Sequence, residues 1–131
     1  MFVLCVDWGG LMAEPNPEEL VLLGMLSYDK QDFSKARKYF ERACGLNNGG
    51  GCSNLGVLYQ NGQGVEKDLI KAAYFYSKAC ELKEGDGCGA LGALYYNGDG
   101  VKQDSKKAVA LFEKACKLGY KKACEMLKEL R

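Results

Sequence analysis

Apolar positions in this chain fall at steps of three and four, and the whole pattern returns after 36 residues. Residues 51–86 read GCSNLGVLYQNGQGVEKDLIKAAYFYSKACELKEGD, and residues 87–122 read GCGALGALYYNGDGVKQDSKKAVALFEKACKLGYKK. The two align without a gap. Each begins with a short apolar run in which Leu55 and Leu58, or Leu91 and Leu94, share one helical face. Each continues with a longer stripe: Ala72, Phe75, Tyr76, Ala79 and Cys80, then Ala108, Leu111, Phe112, Ala115 and Cys116. Spacings of three and four are those of amphipathic helices, and no alternating run predicts a strand. Phe40, Phe75, Tyr76 and Phe112 are therefore expected in a core.

Punctuation separates the two helices of each copy. The first is predicted from about Cys52 to Tyr59, and NGQG or NGDG ends it, because Asn and Gly tolerate the left-handed backbone of a helix stop. The second opens at Asp32, Asp68 or Asp104, a residue whose carboxylate accepts from the unpaired amides of a first turn. An earlier copy starts near Glu18, carries Leu23-Gly24, Phe40 and Ala43-Cys44, and is four residues shorter because it lacks the NGxG segment. A final helix near Lys121–Leu130 reads as a cap, with Lys121, Lys122, Glu125, Lys128 and Glu129 facing water. One helix pair of this size cannot bury its apolar face, whereas stacked pairs can. The expected fold is all-α, an α/α solenoid over residues 14–131. Its units are a short first repeat (14–50), two full repeats (51–86 and 87–122) and the end of a capping helix (123–131).

Cysteine follows the same period. Cys44 and Cys52, Cys80 and Cys88, and Cys116 and Cys124 are each eight residues apart. The first of each pair falls in the last turn of a second helix and the other in the first turn of the next repeat, so a tight Gly-rich turn would bring them within disulfide reach. Such short loops would contribute about 2.5 kcal/mol each on a chain-entropy account. A zinc site and three reduced core pairs are the alternatives. Zinc prefers closer Cys intervals or histidine, and this chain has no histidine.

LGxLYxNGxGVxxD, the Ala-Cys helix end and the 36-residue period resemble Sel1-like repeats, relatives of the tetratricopeptide repeat. The recurring Cys-x7-Cys pair resembles the Helicobacter cysteine-rich protein family. That resemblance implies a secreted or periplasmic, disulfide-stapled solenoid. It implies either a groove for peptide or protein partners, or penicillin binding with weak β-lactamase activity directed at β-lactams or cell-wall fragments. The first helices would line the concave side, giving Asn54, Gln60, Asn61, Tyr96 and Asn97 as candidate binding residues, with Val57, Ala90 and Ala93 between them.

The remaining chemistry is thin. Lys30 follows Ser27 by three, as a serine β-lactamase requires, and YQN (59–61), YYN (95–97) and KLG (117–119) echo its other elements. Ser27 and Lys30, however, straddle a predicted helix end, and the Y-x-N echoes recur with the repeat. No catalytic residue is assigned. The absence of histidine excludes Ser-His and Cys-His catalysis. The glycine clusters lack the lysine of a phosphate loop and read as turns. No cofactor and no metal is expected. A formal net charge of +1 offers no overall field to steer the protein onto nucleic acid or an anionic membrane, and no run is long enough to span a bilayer. The first thirteen residues, MFVLCVDWGGLMA, are apolar without a basic start and read as a degenerate or truncated signal peptide. Removing them removes Cys5 and leaves the three equal pairs.

Overall fold

A computed structural model describes residues 15–130. The leader expected over residues 1–13, with Cys5, lies outside the described residues. These form seven helices and no strand: α1 (Pro17–Asp29), α2 (Phe33–Gly45), α3 (Gly49–Asn61), α4 (Leu69–Glu81), α5 (Gly85–Asn97), α6 (Ser105–Lys117) and α7 (Lys121–Leu130). They pack in chain order as antiparallel pairs, α1 with α2, α3 with α4 and α5 with α6, and α7 closes against α6.

Local chemistry sets the boundaries. Asn16 opens α1 with a reciprocal capping box, its Oδ1 accepting from Glu19 N at 2.8 Å while its own amide donates to Glu19 Oε1 at 3.2 Å, and Pro17 follows. Asp32, Asp68 and Asp104 each accept from the amide three residues on, at 3.2, 3.0 and 3.0 Å. Gly62 and Gly98 stop α3 and α5 in the left-handed conformation.

The first helix of each full repeat is longer than its sequence predicts. The glycines of NNGGGC form the first turn of α3 rather than the turn before it, and Gly85 likewise begins α5. The connection is made instead by Asn47, Lys83 and Gly119 at positive φ. The glycines are needed for contact. A Cβ on Gly51 would sit 2.6 Å from that of Ala43, and one on Gly87 2.6 Å from that of Ala79. Bare backbone lets a helix start press on the helix end before it, and at these places Cys44 joins Cys52 and Cys80 joins Cys88, with Cα separations of 4.5 Å. Cys116 joins Cys124 at 4.8 Å and ties α7 to α6. With the cysteines so joined, the zinc and reduced-thiol alternatives have no place in this structure.

Within a pair, a ring on the second helix lies flat on a glycine of the first. Phe40 meets Gly24, Tyr76 meets Gly56 and Phe112 meets Gly92, each closer than a Cβ would permit. All three rings are buried, and burial of each contributes about 1.5–3 kcal/mol. Phe75 is only half-buried and stacks on Tyr59 at 5.6 Å. In the fourth copy of the register Lys128 takes the glycine's place, and with Lys121, Lys122, Glu125 and Glu129 it faces solvent.

The first helices α1, α3 and α5 touch their neighbours along the stack, whereas successive second helices make no comparable contact. The side on which α1, α3 and α5 touch one another is here named the inner side, and that of α2, α4 and α6 the outer side.

Candidate functional site

The inner side carries a cleft of 280 Å³ between the first two repeats, lined by Met25, Tyr28, Asp29, Phe40, Asn54 and Val57. Met25 and Asp29 project from one face of α1, and Asn54 and Val57 from the matching face of α3. Phe40 contributes the edge of the ring that Gly24 admits. The recess is thus a by-product of the glycine contact, since a side chain at position 24 would displace the ring. Tyr28 is held by Gln63, its hydroxyl donating to Oε1 at 3.2 Å, and its ring meets Phe33 edge-on at 5.1 Å.

The five residues expected on this side divide. Asn54 lines the cleft and is half-buried. Gln60 is tied to the core, accepting from the Tyr76 hydroxyl, whose proton is held far above the usual phenol range chiefly by burial, with smaller contributions from Asp86 and Tyr120. Asn61 is exposed and donates to Gln63 Oε1 at 3.3 Å, so it shapes the turn. Tyr96 and Asn97 are exposed further along the stack, outside the cleft. Met25, Tyr28 and Asp29 were not among those expected. Their signal lay in the alignment: they occupy in the short first copy the registers of Val57, Gln60 and Asn61.

Charge is divided between the two sides. Helices α1, α3 and α5 contain four acidic residues, Glu18, Glu19, Asp29 and Asp86, and no Lys or Arg. Helices α2, α4 and α6 contain ten Lys and Arg against three Glu. The near-zero total conceals first helices that are acidic or uncharged and second helices that are basic.

Ser27 and Lys30 line a separate cleft of 160 Å³ together with Leu23, Leu26, Asp32, Lys35 and Tyr39. Ser27 lies inside α1 and Lys30 is its C-cap, so the two straddle the helix end. The serine is 7% exposed and its hydroxyl donates to Leu23 O at 2.9 Å, a bond within the helix that occupies its proton.

The sequence model of the Sel1 repeat matches residues 22–48, 50–84 and 85–120. The chain is 60% identical over 70 residues to a Helicobacter pylori protein named putative beta-lactamase HcpC, across 51% of this chain and 24% of that protein. It is 57% identical over 60 residues to the beta-lactamase HcpA of the same organism, across 46% and 24%. The chain thus spans about a quarter of the length of these curated relatives. Among solved structures it resembles Helicobacter pylori cysteine rich protein B, at 53% identity and a TM-score of 0.69, covering 71% of this chain and 70% of that one. A Sel1 repeat protein from Oxalobacter formigenes superposes with a TM-score of 0.80 at 28% identity, over 90% of this chain and 51% of that one.

Proposed function

The chain belongs to the Sel1 repeat family, and from that premise we propose that it is an extracytoplasmic binding module whose inner groove takes an extended peptide segment of a partner protein. The observation that carries the reading is the 280 Å³ cleft, with apolar walls from Met25, Val57 and Phe40 and a carboxylate and an amide from Asp29 and Asn54. An apolar anchor fills such a recess while neighbouring backbone and cationic groups meet the polar pair. The lack of any Lys or Arg on α1, α3 and α5 favours segments with positive charge beside the anchor. Three disulfides fit an oxidising compartment, and secretion or a periplasmic location follows from them as part of the proposal. Among the described residues no helix is long and apolar enough to cross a membrane.

Selection of a random phage-displayed peptide library on the immobilised protein tests this. Enriched peptides are expected to carry an apolar residue next to Lys or Arg, and to lose at least about tenfold in affinity on Met25→Ala with Val57→Ala, and again on Asp29→Lys. Enriched peptides that bind these variants unchanged would place recognition elsewhere.

β-Lactam hydrolysis is the second reading, drawn from the names of the relatives. Its nearest structural echo is the Ser27–Lys30 cleft, where the serine proton is already committed to Leu23 O. Labelling with a fluorescent penicillin followed by denaturation and mass spectrometry is expected to leave Ser27 unmodified. A covalent adduct on Ser27, abolished with hydrolysis by Ser27→Ala, would make this an enzyme.

A further inference from the structure

The outer side carries two ladders of cations. Lys35, Lys71 and Lys107 stand at one register of α2, α4 and α6, and Arg42, Lys78 and Lys114 stand seven residues on, two helical turns along the same face. The Lys71 and Lys107 ammonium groups lie over the rings of Tyr59 and Tyr95 at 5.4 and 4.6 Å and keep their charge there. Against the ten Lys and Arg of these helices stand Glu41, Glu81 and Glu113 and the capping Asp32, Asp68 and Asp104 at their N-terminal ends, which leaves the face net positive, and Arg37 pairs with Glu41 at 3.1 Å. In the middle of this field two large side chains protrude. Ile70 is 72% exposed and Tyr74 63% exposed. They lie one turn apart on α4, and the repeat pattern does not demand them: their register partners are Ser34 and Lys106, and Lys38 and Ala110. Beside them opens a cleft of 300 Å³ walled by Ala73, Leu91, Tyr95 and Val101 and including Lys107.

We propose that this outer face docks on the surface of a membrane containing anionic lipids, with Ile70 and Tyr74 entering the headgroup region and the lysine ladders meeting lipid phosphates. The proposal is independent of the inner groove. Cations near an anionic leaflet each contribute attraction that falls off within a Debye length. An apolar side chain and a Tyr at the centre of the cationic field supply what lipid offers and a bare polyanion does not, a hydrocarbon boundary with polar groups above it. The apolar cleft gives that boundary a complementary recess. A net charge of +1 is a total over the chain and does not register how charge is divided between its helices. Docked in this way the molecule presents its acidic inner groove away from the lipid.

The test is co-sedimentation of the oxidised full chain with vesicles of phosphatidylcholine, with and without phosphatidylglycerol. Binding is expected only when phosphatidylglycerol is present, and is expected to weaken with salt. Lys35→Glu, Lys78→Glu and Lys114→Glu together are expected to lower the partition by at least about tenfold. Ile70→Ser with Tyr74→Ser, which leaves the charge unchanged, is expected to lower it several-fold. These positions are on the surface, and circular dichroism checks that each variant keeps its helices. Equal binding to neutral vesicles, or no binding to either kind, overturns the proposal. So does phosphatidylglycerol binding that the Ile70/Tyr74 variant retains in full while duplex DNA competes for the same face, since that pattern belongs to a nucleic-acid site.

Discussion

The first repeat and the second share a register but not a set of solutions. Leu20 stands where the second has Cys52, and both are fully buried. Leu26 is 49% exposed, whereas its counterpart Leu58 is 0% exposed because the first repeat stacks upon it. The loop differs for the same reason. Gly64 of the NGQG segment, at φ 72°, approaches Phe33 so closely that a Cβ would lie 2.6 Å from its carbonyl carbon, and Gly100 meets Leu69 in the same way. The extra four residues are therefore an arm laid on the repeat before. The first described repeat has no such neighbour and makes the connection directly. The hydrogen bond beneath the arm is kept throughout: the amides of Asp32, Asp68 and Asp104 donate to Ser27, Tyr59 and Tyr95 O, each at 2.9 Å. What differs between repeats is what touches a neighbour, and what is common to them is what makes a helix pair.

The strongest way to break that equivalence is at the glycine beneath the ring. Gly56→Leu forces out Tyr76, which packs with Leu91 and Leu94 of the next repeat, and is expected to cost about 3 kcal/mol or more in urea unfolding. The same change at Gly24 is expected to cost less, because α1 has only one neighbouring repeat and can shift away from Phe40. Equal losses would mean that the end repeat is as rigid as the middle one.

Removing a staple comes next. Cys80→Ala with Cys88→Ala lies at the centre of the stack and is expected to lower global stability by about 2.5 kcal/mol. Removal of Cys116 and Cys124 frees only α7, so hydrogen exchange should quicken in α7 while the unfolding midpoint of the remaining helices moves less. A uniform loss of protection along the chain would show instead that the stack unfolds as one unit.

The junctions themselves differ in their caps. Asn48 Oδ1 accepts from Gly51 N at 2.9 Å at the start of α3, while Glu84, in the same place before α5, makes no side-chain cap bond. The Glu84 carboxyl is held above its ordinary range, first by burial and then by Asp86. With its folded pKa raised, Glu84 favours the folded state at low pH and loses that contribution as pH rises through its folded value. Glu84→Asn is therefore expected to stabilise by about 1 kcal/mol at neutral pH, and by less in acid where the carboxyl is protonated. An equal gain at both pH values would assign the effect to the cap alone. The smallest effect is expected at Gly45, the last residue of α2, where a Cβ meets nothing within 4 Å and the later repeats carry Glu81 and Lys117. Gly45→Ala should raise stability by about 0.5 kcal/mol in thermal unfolding.

The sequence by itself determined the helix pairs and their order. The Asp caps, the Asn-Gly stops and the apolar steps of three and four are local chemistry, and they act within a few residues wherever a chain carries them. It placed the six cysteines at helix junctions through the period alone. Only the tertiary structure decided what the glycines of GGGC do, because a turn and a close helix contact both ask for a missing side chain. Only it drew the cleft together, since Met25 and Val57 are 32 positions apart and meet through a stacking geometry that no local pattern encodes. The two-sided charge is the same kind of fact: a net charge of +1 is a sum over positions, while the field at a surface depends on which residues face it.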